Sequence, residues 1–322
     1  MPDALVAMGG YHPISNPMLP IIHHEAYVAR DVPATHRFPM GKFRAVAERC
    51  VSLGLVKGFD GFHVPTPAPA SWLQLAHDAT YVDQVLTSSI PPALERKIGF
   101  KMSADVALRS RCAVAGTALA ARLALETGAA CNTAGGSHHA DQTGGAGFCV
   151  FNDVAVAARL MLAEGAVRQV LVVDFDVHQG DGTARIFEDE PQVFTLSVHC
   201  EENWPRRKAM SDLDVGIAQG TGDDDYLKAA RSSLKDCLEA TRPDLVFFNA
   251  GVDPHKDDRL GLLELSDEGL RAREAMVFRE TLSRGIATVG VLGGGYSRDL
   301  DALARRHTFL HEAAHTALKT HA

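Results

Sequence analysis

From about residue 104 the chain alternates two kinds of segment. Apolar positions recur at helical spacing over 104–126, 153–164, 224–240, 266–284 and 300–319, and short, nearly continuous apolar runs fall at 129–134, 170–175, 192–198, 245–249 and 287–292. Runs of that length bounded by glycine and polar residues predict buried strands. Strand and helix in alternation predict an α/β fold: a mostly parallel central sheet flanked by helices on both faces. The helix ends carry their own signals. Asn152 or Asp153 can cap the helix at 153–164, with Gly165 just past its end; Ser266 can cap the one at 266–284, with Asp267 and Glu268 in its first turn and Gly285 after it. Residues 1–100 are less regular; short helices are expected at 40–53 and 71–88, wrapping the sheet and shaping a pocket. No internal repeat, like-charge block or Pro/Ser tract divides the 322 residues, so one domain over 1–322 is expected.

The polar residues are concentrated where the apolar runs stop. After the five runs come Gly135-Gly136-Ser137-His138-His139, Asp176-Val177-His178, His199, Ala250-Gly251-Val252-Asp253 leading to Asp257-Asp258, and Gly293-Gly294-Gly295-Tyr296. Open α/β sheets bind ligands beyond the carboxyl ends of their strands, so these loops should converge on one edge. The stretch Asp174-Phe175-Asp176-Val177-His178-Gln179-Gly180-Asp181-Gly182 is the richest. In an extended chain Asp174, Asp176 and His178 share a face, away from Phe175 and Val177. A catalytic zinc takes three ligands from His, Asp and Glu and keeps one position open. Asp176 and His178 supply two, and the Asp257-Asp258 loop is the best source of a third. His138 and His139 are placed to act as bases beside such an ion, with Asp174 and Asp181 able to orient their rings. Tyr296, after three glycines, can approach a ligand and donate a hydrogen bond.

Two other histidine motifs read differently. His23-His24 has no strand end or carboxylate partner and is expected to be a surface or packing feature. His311-Glu312-Ala313-Ala314-His315 fits the H-E-x-x-H zinc-protease pattern, but only seven residues follow it, and a further ligand is usually found downstream. It is expected to be a helix face.

Composition narrows the partners. A net charge of −8 argues against neutralisation of nucleic-acid phosphates, leaving Arg206-Arg207-Lys208 as a local basic patch. Six scattered cysteines without a C-x-x-C pair suggest reduced thiols in a cytoplasm. No basic leader or apolar run of membrane-spanning length is expected to export or anchor the chain. A homo-oligomer remains compatible.

Gly135-Gly136-Ser137-His138-His139-Ala140, Gly147-Phe148-Cys149-Val150-Phe151-Asn152-Asp153, the Asp174–Gly182 run, Asp258-Arg259-Leu260-Gly261 and Gly293-Gly294-Gly295-Tyr296 together resemble the zinc-dependent histone deacetylase family. The likeness covers roughly residues 20–315. His36-Arg37-Phe38-Pro39-Met40 and Ser211-Asp212-Leu213-Asp214-Val215-Gly216 look most like bacterial relatives of the class IV branch. The resemblance implies an arginase-like α/β fold and hydrolysis of an acyl-lysine or acetylated amine. It implies zinc on Asp176, His178 and Asp258, with iron(II) as a substitute because such ligation is weakly selective. His139 would be the main base and acid, His138 its electrostatic partner, and Tyr296 the donor to the carbonyl oxygen. Asp174 and Asp181 would orient His138 and His139. Gly147, Phe148 and Gly294 would meet the substrate, and a structural potassium would lie at Asp174, Asp176, His178, Ser197 and Val198. The second channel aromatic of better-known members has no obvious counterpart, and Trp204 is the candidate substitute. A binuclear manganese ureohydrolase is the competing enzyme reading, although Gly180 stands where that class needs a bridging carboxylate. A silent pocket that only holds acetylated amines is the non-enzymatic one.

Overall fold

The computed structural model describes residues 18–321. Seven strands, β1 (Ile21–Ile22), β2 (Ala129–Asn132), β3 (Val170–Asp174), β4 (Val193–Cys200), β5 (Leu213–Ile217), β6 (Leu245–Asn249) and β7 (Ala287–Val291), form one sheet. Their order is β1-β2-β7-β6-β3-β4-β5, and every neighbouring pair is parallel. Each residue of β2, β3, β6 and β7 is buried. That is why these strands read as unbroken apolar runs rather than alternations. Burying each Val, Leu or Phe there contributes roughly 1.5–3 kcal/mol before entropy is counted.

Among the described residues ten α-helices surround the sheet: α1 (Lys42–Ser52), α2 (Ala70–Leu73), α3 (Ala79–Leu86), α4 (Pro92–Ile98), α5 (Ala104–Thr127), α6 (Asp153–Ala163), α7 (Asp181–Phe187), α8 (Asp223–Thr241), α9 (Asp267–Leu282) and α10 (Leu300–His321). Helices α1, α8, α9 and α10 adjoin one another in a chain of contacts on one side, while α5 packs with α6 and also against β2 and β7. None of the described helices is long and apolar enough to cross a membrane.

The elements expected from the sequence are present, and β1, α4, β5 and α7 join them. β5 alternates partly buried and exposed positions, the exposed ones being Asp214 and Gly216, and only Ile217 is fully buried; its pairing with β4 overrides a weak intrinsic preference. Helix α7 begins in Gly180-Asp181-Gly182, which reads as a turn, yet Ile186 and Phe187 are buried. The helix expected at 71–88 is two pieces, because the segment between them carries His77 into the interior. There His77 Nδ1 bonds the Asp141 carbonyl at 2.8 Å and its Nε2 accepts the Asn152 N–H at 2.9 Å. Of the two candidate caps for α6, Asn152 does the capping, accepting from the Ala155 N–H at 3.0 Å.

Candidate active site

The strand order decides which loops meet. β2, β7, β6 and β3 are consecutive in the sheet, with β4 next, so the residues after their carboxyl ends are forced together. Asp174, last in β3, is in register with Asn249 of β6 on one side and Ser197 of β4 on the other.

The twin histidines come from the loop after β2, and Asp153 shapes that loop. Freed from capping, its buried carboxylate accepts the Ser137 N–H at 2.8 Å, the Gly136 N–H at 3.2 Å and the Thr117 hydroxyl at 2.6 Å. Gly136 has φ 82°, and a Cβ there would strike the Gly293 backbone at 2.6 Å, so the loop needs glycine to lie against the last strand end. The chain then presents His138 and His139 side by side, ring centroids 4.0 Å apart. Each has its own carboxylate: His138 Nδ1 to Asp174 Oδ2 and His139 Nδ1 to Asp181 Oδ1, both at 2.7 Å. Both His–Asp pairs named from the sequence are thus in hydrogen-bond contact.

Their electrostatics diverge. Burial opposes charge on His138, but the Asp174 and Asp176 carboxylates outweigh it and raise the ring to about 9. His139 is lowered to about 3, by burial first and then by its charged neighbour, against the pull of Asp181. Asp181 itself is held at about 2: burial raises it, but His139 and Arg185 overcome that, Arg185 Nη1 lying 2.6 Å from Asp181 Oδ2. The surroundings thus favour the charged form of one ring and the neutral form of its neighbour.

Behind them lies an acidic group. Atoms of Asp176, His178 and Asp253 that can bind a metal all fall within 4.8 Å of one another, and all three residues are buried. Asp176 is fixed by the His178 N–H at 3.0 Å and the Gly294 N–H at 2.6 Å. A Cβ on Gly294 would collide with the Asp253 and Asp176 carboxylates, so only glycine brings that N–H so close. Asp253 accepts the Val177 N–H at 3.0 Å and lies 3.1 Å from His178 Nδ1. It is raised to about 7 by burial and then by the charge of Asp176. Crowded buried carboxylates beside a histidine fit a divalent cation, which relieves that repulsion.

Asp258, the expected third ligand, sits beside this group rather than inside it. Its Oδ2 accepts the Tyr296 N–H at 2.7 Å and its Oδ1 the Leu260 and Gly261 N–H groups at 2.8 and 3.2 Å. The sequence does not single out Asp253 as a ligand; the available signal is its place four residues past the end of β6, nearer the strand than Asp258. Of the residues expected around potassium, Ser197 Oγ bonds His199 Nδ1 at 2.9 Å, and Asp174 Oδ1 accepts from Asp176 N and Asn249 Nδ2.

A cavity of about 790 Å³ opens onto His139, His178 and Tyr296 and is walled by Gly147, Phe148 and Trp204. Phe148 has φ 68°, a conformation costing on the order of 1–3 kcal/mol for a non-glycine residue. It is held there by its N–H on the Ile98 carbonyl at 2.6 Å and by Gly147 N–H on Lys97 at 3.0 Å. Trp204 stands edge-on to His139, centroids 4.6 Å apart, so it does occupy the wall. Tyr296 lies between Phe148 at 5.8 Å and His178 at 6.3 Å; burial and the nearby Asp253 and Asp176 keep its hydroxyl protonated.

Two supports were not evident in the sequence. Buried Lys42 donates to the Gly293 carbonyl at 2.9 Å. Buried Arg273 ties the ends of β3 and β6 together, donating to the Phe175 and Gly251 carbonyls at 2.9 and 2.8 Å while paired with Glu274. A charged residue within a helix gives no such signal. The other histidine motifs are structural, as expected. His23 bonds Thr133 and His24 caps a short turn, while His311 is buried on α10 and Glu312 pairs with Arg271 of α9.

A parallel sheet whose central strand ends carry two His–Asp pairs, a candidate metal-binding group and a tyrosine has the architecture of the deacetylase hydrolases. The chain belongs to the histone deacetylase family, whose domain matches residues 36–312. It is 45% identical over 295 residues to an uncharacterized protein of Picosynechococcus sp., covering 92% of this chain and 98% of that one. Histone deacetylase 2 of Arabidopsis thaliana is 30% identical over 272 residues, 82% of this chain and 70% of the relative. The crystal structure of the HDA15 HD domain superposes with a TM-score of 0.75 over 95% of this chain and 94% of that one. At 23% identity that likeness shows the fold alone.

Proposed function

We propose that the protein is a zinc-dependent deacylase that removes acyl groups, acetyl above all, from lysine-type amides. The observation that carries this reading is the pair His138 and His139, each on its own carboxylate, with His139 and His178 lining the cavity beside the acidic group. Zinc would be held by Asp176, His178 and Asp258. Asp253, which meets the same His178 nitrogen as Asp176, each at 3.1 Å, would hold the ring in place beside the ion. When bound, zinc supplies a Lewis acid for the amide carbonyl and acidifies water.

The chain's own residues do the rest. His139, neutral at physiological pH, takes the proton from the attacking water. Asp181 keeps the receiving nitrogen turned to the channel by holding Nδ1. The Tyr296 hydroxyl donates to the carbonyl oxygen as negative charge develops. His139, now protonated, returns the proton to the leaving amine, and the His138 charge stabilises the anionic stages. Phe148 and Trp204 exclude water around the alkyl stem, with Gly147 and Gly294 letting backbone approach it. A potassium ion is proposed at Asp174, Asp176, His178, Ser197 and Val198, where β3 and β4 pair Asp174 with Ser197. Six free, buried cysteines support a reducing cytoplasm as its setting.

The test is acetate release from an acetyl-lysine peptide. Replacing Tyr296 with Phe should lower kcat by about 10²-fold or more, the scale of losing one oxyanion donor. An unchanged rate would contradict the assignment.

A further inference from the structure

The chain as a whole is acidic, with a net charge of −8, yet the mouth of the channel is rimmed by cations. Arg37, Arg96 and Lys97 line it and are exposed, against one carboxylate, Glu202. The Glu202 carboxylate accepts from the Gln219 N–H, on the loop after β5, at 2.9 Å and meets the Cys200 thiol. None of the three cations forms an ion pair among the described residues.

Their position is built into the channel wall. Arg96 and Lys97 lie in the last turn of α4, where a helix end favours positive charge. The Lys97 and Ile98 carbonyls accept the Gly147 and Phe148 N–H groups, and His36 Nε2 lies 3.1 Å from the Gly99 carbonyl, which secures the segment bearing Arg37. A second depression of about 890 Å³ shares His36 and Arg37 with the first, adds Arg259 and Arg298, and has no acidic residue in its lining. Positive charge therefore extends along a trough on both sides of Arg37.

Resting on the deacylase reading, we propose that the mouth selects acyl-lysines flanked by acidic residues of a polypeptide. Carboxylates on either side of the acyl-lysine would lie against these cations, while a flanking lysine or a polyamine chain would be repelled. The breadth of the trough favours an extended acidic segment over a small acid, which would engage one cation only. Because the rim is exposed, the preference is screened by salt, over a length of about 10 Å at 0.1 M.

The experiment compares acetyl-lysine peptides of one length with Asp/Glu, uncharged or Lys/Arg flanks. At low ionic strength kcat/KM should fall in that order, with acidic flanks favoured about tenfold over uncharged ones, the usual scale of rim electrostatics. Added KCl should bring the acidic peptide toward the uncharged one. The double variant Arg37→Glu, Lys97→Glu should reverse the order; should it fail to fold, the salt series on the wild type decides alone. Turnover without flank preference, or a preference for basic flanks, overturns the inference and spares the deacylase reading. No turnover of any peptide overturns both.

Discussion

At the scale of single residues, the site depends on two adjacent imidazoles given opposite tasks by their surroundings. The direct check is side-chain NMR of the metal-free protein. His138 should hold its proton up to about pH 9, and His139 should stay neutral down to about pH 3. Two rings titrating together near 6.5 would contradict the account. Since folding raises the His138 value above its unfolded 6.5, the stability it contributes is fully present below pH 6.5 and is lost as pH rises through about 9. A divalent cation beside Asp176 should lower the His138 value, so the loaded protein should titrate it at lower pH. The two aspartates after β6 should also separate. Asp258→Asn should abolish zinc binding, read as metal content per chain, and Asp253→Asn should weaken it; the reverse order would reassign the third ligand.

At the scale of elements, the strand ends are held in place from below. Arg273 and Glu274 are a fully buried pair on α9, and Arg273 bonds carbonyls at two strand ends. Removing one partner of such a pair leaves an uncompensated charge, so Arg273→Ala should cost about 3–5 kcal/mol in denaturant unfolding. A loss below about 1 kcal/mol would show the pair to be dispensable, the scale of an exposed ion pair. The sequence made most of this level legible, because strands buried on both faces leave unbroken apolar runs and capping residues mark helix starts. It hid β5, whose half-buried pattern includes Asp214 and Gly216, and it hid the work of Asp153, which looks like a cap and instead shapes the histidine loop.

At the scale of the molecule, function follows from strand order. Segments more than 150 residues apart in sequence, the histidine loop and the Gly-Gly-Gly-Tyr loop, meet because β2 and β7 are neighbours. Neither motif states that adjacency. It becomes readable only through the likeness to a known family or through the sheet itself. The same is true of the cationic rim, assembled from residues 37, 96 and 97 on separate segments of an otherwise acidic chain.

The central claim is that these loops form one metal-dependent, histidine-driven hydrolytic site. It is tested most directly by acetate release from an uncharged acetyl-lysine peptide, measured for wild type and His139→Ala, before chelation, after exhaustive chelation and after zinc is restored. The account predicts activity in the wild type that is lost on chelation and regained with zinc, and none in His139→Ala under any condition. Wild-type turnover that survives chelation, or a His139→Ala variant as active as the wild type, would contradict it.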